Sequence, residues 1–308
     1  MRQFDNQPSA RTNPFSKIIS AMLLFCSMAF MHSASALTIS PTTLTDPNYT
    51  AINNVTGVIT AGAGVGLISL RSALQACDQT AGPHIINLTL PGTYQVTGGS
   101  NIGTYIIFGS VNNQDITING LTPATSIINM NPGAFQDRIF AVNVATLGGT
   151  LDVKLTINNC RFTNGHLLTD PYGGGAIEFA SSGNGSAMTL NGCEFINNSI
   201  DVTAGTTGGA VNYSGSGTLT VTNCIFTGNV NDNSDGGALY YFFNNISPTN
   251  TGLMNVTAST FTSNTASALG AGSGGALGIA LQGRNSVNQN FTANITSITT
   301  EISVVFLR

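Results

Sequence analysis

The chain has 308 residues, of which 7% are charged and 42% are hydrophobic, and its formal net charge is −4. Charged residues make up about 25% of a typical soluble domain, so Gly, Asn, Ser and Thr must supply most of the polar surface here. This balance excludes a highly charged disordered chain, and the lack of any Lys/Arg run excludes a nucleic-acid partner held by its phosphates.

Residues 1–36 have the pattern of a cleaved secretory signal peptide. Three basic residues precede an apolar core over Ile18–Met31, and Ala34 and Ala36 form a small-x-small cleavage site. The apolar core is short for a transmembrane span, and a retained N-terminal anchor is the alternative. We therefore expect cleavage after Ala36 and a secreted protein with no membrane span. The remaining chain has a net charge of −6.

Residues 37–82 are expected to form an N-terminal segment that ends in a short capping helix. Ser69 is a favourable N-cap, and Leu70, Ala73, Leu74 and Cys77 follow at the spacing of one helical face. A helix at this place would cover the first coil of the following β-structure and hide its open backbone edge.

Residues 83–308 are predicted to form a solenoid, because two motifs alternate along them with a period near 30 residues. The first motif is Gly-Gly-Ala plus a branched apolar residue, at Gly174–Ile177, Gly208–Val211, Gly236–Leu239 and Gly274–Leu277. The second is Phe-x-x-Asn, at Phe195–Asn198, Phe226–Asn229, Phe261–Asn264 and Phe291–Asn294, with an imperfect first copy at Phe162. The paired motifs begin at about residue 155.

The segments before each Phe alternate apolar and polar residues, which is typical of half-buried strands. Strands that recur once per coil lie parallel to their own copies, so the sequence predicts an all-β parallel β-helix with coils ~4.8 Å apart. Side chains at Asn159 and Asn223 are expected to bond to the next coil, and each Gly-Gly pair to form a tight corner. An interior aromatic ladder is predicted from Phe162, Phe195, Phe226, Phe261 and Phe291.

The two motifs, over Leu155–Asn294, resemble the repeats of chlamydial-type polymorphic outer membrane proteins. That resemblance implies a right-handed parallel β-helix displayed on the cell outer membrane or released from the bacterial surface. It also implies adhesion to host cells and a C-terminal autotransporter barrel. The repeats of this chain continue to its last residues without a barrel. The expected alternatives are a truncated passenger, a fragment or a released protein.

Two further segments resemble other secreted β-helix proteins. Ile68–Ala76 is similar to the CSLREA segment of many bacterial β-helix proteins, although Ile68 replaces its Cys and Ser72 its Glu. Asp115–Met130 resembles coils of the pectin lyase fold. This second resemblance implies a polysaccharide lyase or hydrolase as the alternative function.

Three cysteines lie at one position of successive repeats, two residues before a ladder Phe: Cys160, Cys193 and Cys224. Stacked coils would bring neighbouring thiols within disulfide range, but adjacent parallel strands orient their Cβ atoms alike. We therefore expect a ladder of buried thiols rather than a disulfide.

Acidic residues recur between each Phe motif and the next Gly-Gly-Ala. Asp201, Asp232 and Asp235 could bind Ca²⁺ through carboxylates and nearby carbonyls. The alternative is that these residues simply form turns, in which case the protein has no cofactor.

No catalytic residue is predicted. A glycosidase needs two carboxylates facing one cleft, and Glu178 and Glu194 are the only glutamates between residue 37 and Glu301. Glu194 and Arg161 each precede a ladder Phe and are expected to form a surface ion pair, and a lyase site at this pair is the alternative. His84 and His166 are isolated and are expected in loops or turns.

The one aromatic run, Tyr240–Phe243, follows a Gly-Gly-Ala corner. Alternation places Tyr241 inside, in one column with Phe179 and Tyr213, and Tyr240 and Phe242 outside. An exposed aromatic pair is a candidate contact site for a host-cell or surface glycan or protein. The sequence therefore favours a non-enzymatic, adhesin-like interaction protein, secreted or held at a bacterial surface.

Overall fold

The computed structural model describes most of the chain from residue 36 onwards. The described residues are 36–79, 81–97, 105–131, 137–142, 151–168, 173–181, 183–201, 207–232, 235–245, 249–266, 275–283, 290–300 and 304–307. The predicted signal peptide lies outside them apart from Ala36. In these ranges, no helix is long and apolar enough to span a membrane.

The predicted capping helix is confirmed as α1, Leu70–Cys77, with Ser69 as its N-cap. The Ser69 hydroxyl accepts a hydrogen bond from the amide of Ser72 at 3.1 Å, and the Ser72 hydroxyl accepts one from the amide of Ser69 at 2.9 Å. This reciprocal pair satisfies two of the N–H groups that a helix start leaves without partners. The apolar face of α1 packs into the core of the β-structure.

A buried ion pair that the sequence did not predict fixes α1 to the N-terminal segment. Arg71 Nη2 lies 2.8 Å from Asp46 Oδ2, and the two side chains are only 1% and 2% exposed. Arg71 Nε also donates to both oxygens of Asp46, at 3.0 Å each, and the amide of Thr97 donates to Oδ2 at 3.2 Å. Because removal of one partner would leave a buried charge, this pair holds the cap in one position.

The strands of the first three coils and the N-terminal segment have these bounds: β1 Thr38–Ile39, β2 Tyr49–Ile52, β3 Ile59–Gly62, β4 Gly82–Asn87, β5 Gly92–Val96, β6 Ile106–Phe108, β7 Gln114–Asn119, β8 Ser126–Met130, β9 Phe140–Val142, β10 Val153–Asn158, β11 Arg161–Thr163, β12 His166–Leu167 and β13 Ile177–Ser181. The later strands are β14 Ala187–Asn191, β15 Glu194–Ile196, β16 Ser199–Ile200, β17 Val211–Gly215, β18 Gly217–Thr222, β19 Ile225–Thr227, β20 Val230–Asn231, β21 Leu239–Asn245, β22 Thr251–Thr257, β23 Thr260–Thr262, β24 Thr265–Ala266, β25 Leu277–Gly283, β26 Asn290–Thr296, β27 Thr299–Thr300 and β28 Val304–Leu307.

These strands stack into four parallel sheets that wind into the predicted β-helix. Sheet I has the order β1-β4-β7-β10-β14-β18-β22-β26 and sheet II the order β5-β8-β11-β15-β19-β23-β27. Sheet III contains β12-β16-β20-β24, and sheet IV contains β6-β9-β13-β17-β21-β25-β28. The fold is thus a right-handed parallel β-helix, in which each strand pairs with its copies in the coils before and after. A small antiparallel pair, β2 with β3, lies in the N-terminal segment.

The interior holds the predicted columns of side chains. Leu239 pairs in register with Val211 and Leu277, and Tyr241 with Tyr213 and Ile279. Four of the predicted ladder phenylalanines stack with ring centroids 4.7–5.2 Å apart: Phe162, Phe195, Phe226 and Phe261. The side chains of these four residues are at most 1% exposed.

Phe291 does not belong to this ladder, so that prediction is wrong. It lies in β26 of sheet I, where its Cα pairs with Gly252, and Thr300 takes the ladder position opposite Phe261. The Phe291 ring instead contacts Tyr241 and Phe243, with centroids 5.1 and 5.6 Å apart. The fourth Phe-x-x-Asn match is therefore a coincidence of sequence, displaced by nine residues from the structural repeat.

The asparagine of each Phe-x-x-Asn motif forms an inner asparagine ladder, composed of Asn198, Asn229 and Asn264. Asn198 Nδ2 donates to Asn229 Oδ1 at 3.0 Å, and Asn229 Nδ2 donates to Asn264 Oδ1 at 2.8 Å. Asn229 Nδ2 also donates to the carbonyl of Phe195 in the preceding coil, at 2.9 Å. Asn159 and Asn223, predicted to bond to the next coil through their side chains, bond to it through the backbone instead. Their backbone N–H groups donate to the carbonyls of Asn191 and Thr257.

Three of the four Gly-Gly-Ala corners have the predicted left-handed geometry, and the fourth begins at Gly274, which lies outside the described residues. Gly174, Gly208 and Gly236 have φ values of 78°, 77° and 72°, which favour glycine. A Cβ on the second glycine of the middle corner, Gly209, would overlap the carbonyl oxygen of Gly237 in the next coil. Because the coils stack so closely, a residue larger than glycine does not fit at this position.

Neither histidine lies in a loop or turn, contrary to the prediction. His84 is within β4, 1% exposed, and its Nδ1 accepts a hydrogen bond from the amide of Leu37 at 3.2 Å. His166 begins β12 of sheet III.

Candidate binding face

The outer face of sheet I carries a line of threonines, one per coil. Thr117 pairs with Thr156, Thr156 with Thr189, and Thr189 with Thr220, so the four lie directly above one another. Neighbouring strands are about 4.8 Å apart, which sets the spacing of these side chains. Each is half-buried, and none of the four hydroxyls has a hydrogen-bond partner among the described residues. We call these four residues the threonine line.

An outer asparagine ladder lies beside the threonine line, two residues further along each strand. Its members are Asn87, Asn119, Asn158 and Asn191. Successive Nδ2–Oδ1 distances are 3.0, 2.9 and 3.5 Å. These amides satisfy one another, so they hold the surface in register while the threonine hydroxyls stay available for other partners.

A groove adjoins the threonine line at the start of β18, β22 and β26. Its volume is about 570 Å³, and it is lined by Gly217, Thr218, Thr251, Gly252, Leu253, Phe291 and Thr292. We call it the binding groove. Gly217, Gly252 and Phe291 share one register column. Atoms of the protein occupy the places that side chains of these glycines would take: the Ser186 carbonyl oxygen and the Tyr213 hydroxyl at Gly217, and the Phe243 and Phe291 rings at Gly252. The half-buried Phe291 ring packs against the core side of sheet I.

Contacts between coils fix the border of this groove. Asn184 Nδ2 donates to the carbonyl of Thr249 at 2.8 Å, and Asn184 Oδ1 accepts from the amide of Thr251 at 2.9 Å. A Cβ on Gly252 would lie 2.6 Å from both Phe243 Cδ2 and Phe291 Cδ2. The Phe291 ring therefore packs directly on the backbone of Gly252.

The predicted exposure of Tyr240 is wrong. Tyr240 points away from the core, as expected, but it is only 3% exposed because the neighbouring corner covers it. A Cβ on Gly236 would lie 3.1 Å from Tyr240 Cβ, and one on Gly278 would lie 2.6 Å from Tyr240 Cδ2. Burial raises the pKa of Tyr240 well above the usual phenol range. Phe242 is half-buried on the same face, and its role as a contact residue stays a prediction.

The structure places two of the three candidate calcium ligands on neighbouring coils. Asp201 and Asp232 directly follow the paired residues Ile200 and Asn231, and Asp232 is exposed. Asp235 is 8% exposed. Throughout the described ranges, no group of three or more His, Cys, Asp or Glu side chains could hold a metal ion. Calcium binding by these three residues stays a prediction.

Glu178 and Glu194 both make contacts within the protein. The predicted surface ion pair is confirmed: Arg161 Nη2 and Nε lie 2.6 and 2.7 Å from Glu194 Oε2. Glu178 is fully buried. Its Oε2 accepts a hydrogen bond from Asn212 Nδ2 at 2.7 Å, and its Oε1 accepts one from the Ser214 hydroxyl at 3.4 Å.

The predicted thiol ladder is confirmed, since Cys160, Cys193 and Cys224 are free and buried. The Cys193 amide donates to Cys224 Sγ at 3.4 Å, and the Cys160 thiol donates to the carbonyl of Asn158 at 3.3 Å. Burial raises the pKa of Cys160 well above its usual range. The pKa of Cys224 is also raised well above its usual range, by its hydrogen bond with Cys193 and by burial. These thiols serve the core rather than a reactive site.

Sequence reasoning missed both the threonine line and the binding groove. A signal for the first was present, because a Thr follows the first apolar residue in Leu155–Ile157, Met188–Leu190 and Leu219–Val221. The groove depends on Phe291, whose place in the repeat was misassigned.

Comparisons of the chain with protein-family models, with curated proteins and with solved structures find no match. The fold is that of a parallel β-helix. The resemblance to polymorphic outer membrane protein repeats and to the CSLREA segment stays a prediction from the sequence.

Proposed function

We propose that this protein is an exported β-helix that acts outside the cell as a non-enzymatic interaction module, similar to an adhesin or an autotransporter passenger. Its partner is a glycan or a protein on a cell surface. The observation that carries the proposal is the outer face of sheet I, where the threonine line and the outer asparagine ladder form a regular polar surface beside the paired residues Asp115 and Lys154. A rigid scaffold with repeated polar groups suits recognition of an extended partner.

The contacts of the acidic residues support an interaction role over catalysis. A lyase needs a basic side chain that is available to remove a proton from its substrate, and a glycosidase needs two carboxylates about 5–9.5 Å apart in one cleft. The Arg161 guanidinium is bonded to Glu194, and the Glu178 carboxylate is buried against Asn212. Both glutamates thus have structural partners.

Binding of the purified full chain to cultured host cells and to a glycan array tests the interaction role. We expect saturable binding to at least one of these surfaces. An Ile225→Ala variant, which alters an exposed side chain on sheet II, serves as the control and is expected to bind equally well. Binding no higher than that of an unrelated secreted protein on both surfaces would refute the proposal.

The enzymatic alternative has a separate test. A polysaccharide lyase leaves an unsaturated product that absorbs in the ultraviolet, so the full chain is incubated with polygalacturonate, with and without Ca²⁺. We expect no increase in absorbance. An increase that is lost on Glu194→Gln substitution would establish the lyase function instead.

Export is tested by expression of the full chain in a bacterial host and N-terminal sequencing of the product outside the cytoplasm. We expect the product to begin at Leu37. A product that keeps residues 1–36 and stays in the membrane fraction would support the retained anchor.

A further inference from the structure

We infer that the first coil contains a binding site for the processed N-terminus of the chain itself. Removal of residues 1–36 frees the α-amino group of Leu37, and the His84 imidazole accepts a charge-assisted hydrogen bond from that group. The bond holds the first strand, β1, on the β-helix. This inference rests on the cleavage that we propose as part of export, and it is independent of the partner that the protein binds outside the cell.

The first argument comes from the contacts of Leu37. Its backbone nitrogen donates a hydrogen bond to His84 Nδ1, at 3.2 Å. Its carbonyl oxygen accepts one from the amide of Ile85 at 2.8 Å, and β1 continues this pairing with β4 at Thr38 and Ile39. Leu37 is therefore fixed through both of its backbone groups.

The second argument comes from the change of burial at the predicted cleavage site. Ala36 is exposed, whereas Leu37 is only 7% exposed and its side chain belongs to the core. His84 is 1% exposed. The β-helix thus begins at the residue that cleavage makes the first of the chain. A product that began at Thr38 would lose both the core side chain and the nitrogen that donates to His84.

The third argument comes from the charge that cleavage creates. An imidazole nitrogen that accepts a hydrogen bond carries no proton, so in the uncut chain the Leu37 amide and His84 are both neutral. A free α-amino group has an ordinary pKa of about 8 and is mostly charged at neutral pH. Hydrogen bonds with a charged donor are roughly twice as strong as neutral ones. Cleavage therefore strengthens a contact that the uncut chain already makes.

The exposure of Ala36 keeps the cost of burying this charge low. An ion without a partner inside a protein is strongly unfavourable. Here one proton of the ammonium group points to His84 Nδ1, and another takes the place of the Ala36 carbonyl carbon, on the side that faces solvent. The charge therefore has a protein partner on one side and water on the other.

Amine labelling of the exported product tests the site, after N-terminal sequencing has established that the product begins at Leu37. Lys154 is the only lysine after residue 36 and is exposed, so the product has two amines. Reductive methylation at neutral pH, followed by mass spectrometry, compares their rates. A solvent-exposed α-amino group would react faster than a lysine, because its ordinary pKa is lower. We expect the Leu37 amine to react more slowly than Lys154 in the folded protein and faster after denaturant is added.

Substitutions of His84 identify the acceptor. His84→Leu removes the acceptor and should make the Leu37 amine react faster than Lys154. His84→Asn places an amide oxygen near the position of Nδ1 and should keep part of the protection. The matched control is His166→Leu, which changes the other histidine of the exported product, in sheet III, and should label like the parent chain.

A second measurement requires no substitution in the core. Insertion of Gly-Ser between Ala36 and Leu37 keeps the cleavage site and turns the Leu37 nitrogen back into an amide. Hydrogen exchange of the Ile85 amide reports the opening of β1, because this amide donates to the Leu37 carbonyl. Exchange should be about fivefold faster in the extended product, which corresponds to about 1 kcal/mol for the stronger bond of a charged donor.

Three results would overturn the inference. They are faster labelling of the Leu37 amine than of Lys154 in the folded product, equal labelling of the His84→Leu and His166→Leu variants, and unchanged exchange of Ile85 after the insertion. A product that begins at another residue would refute the cleavage as well. Slow labelling of the Leu37 amine in a product that binds neither cells nor glycans would refute the interaction function and support the N-terminal site.

Discussion

The rings of Phe195 and Phe226 stack almost parallel in the core, with centroids 4.8 Å apart and an interplanar angle of 9°. The separation equals the spacing of the strands that carry them, so ring stacking and backbone pairing are satisfied by the same geometry. Interior contacts of this kind, repeated from coil to coil, hold the β-helix together.

Replacement of one ladder ring should be costly. Phe226 is fully buried between Phe195 and Phe261, so Phe226→Ala should lower the free energy of unfolding by about 3–5 kcal/mol through lost contacts and a cavity. Urea denaturation followed by circular dichroism measures this change. The neighbouring Ile225 is 40% exposed, and Ile225→Ala should cost less than about 1 kcal/mol. Similar losses for both variants would contradict the inside–outside assignment.

The inner asparagine ladder should be similarly sensitive. Asn229→Ala removes bonds to Asn198, Asn264 and the Phe195 carbonyl, all in a buried site. Each buried polar group left without a partner costs about 1–3 kcal/mol, so the total loss should exceed about 2 kcal/mol. Asn191→Ala, at an exposed position with a 3.5 Å bond, is the control and should lose much less. The ladder would be unimportant for stability if thermal unfolding of the two variants coincided.

The second glycine of each corner offers a graded test of coil stacking. A Cβ at Gly209 would overlap the carbonyl oxygen of Gly237, whereas among the described residues one at Gly275 would meet only the carbonyl oxygen of Asn264, at 3.0 Å. Overpacking typically costs about 1–3 kcal/mol, and the Gly209→Ala variant should lie at or above the top of that range because backbone cannot move aside easily. Gly275→Ala should be milder. Chemical denaturation of both variants checks the order, and the reverse order would contradict the corner geometry.

Stability should fall at alkaline pH. The pKa of Cys77 is raised to about 12, chiefly by burial, and those of Cys160, Tyr94 and Tyr241 are also raised by burial. Since the unfolded chain releases these protons at lower pH than the folded chain, the stabilisation is complete below the unfolded values, about 8.5 for Cys and 10 for Tyr. It is lost as the pH rises towards the folded values.

Two measurements check this pH dependence. Urea midpoints should decrease from pH 8 to pH 11, and the thiols should react with a thiol reagent only after denaturant is added. Tyrosinate absorbance from the buried rings should appear together with unfolding. Rapid thiol labelling of the native protein at pH 8 would show that the thiols are not buried.

Much of the fold could be predicted because each coil repeats one alternation of apolar and polar residues. That pattern placed Leu239 and Tyr241 in their observed columns and identified the Ser69 cap. It failed where a local match competed with the repeat, as at Phe291, and where a corner folds over the outer face, as at Tyr240. Alternation tells which side of a strand a residue occupies, but it contains no information about a loop that covers that side.

The inner asparagine ladder has a consequence for the length of the protein. The step from Asn198 to Asn229 and the step from Asn229 to Asn264 use the same atoms at nearly the same distances. If a whole coil were removed from the β-helix or added to it, the asparagines on either side of the change could form the same Nδ2–Oδ1 hydrogen bond as before. The length of the β-helix can thus change between related chains by duplication of a coil, without any new type of contact between coils.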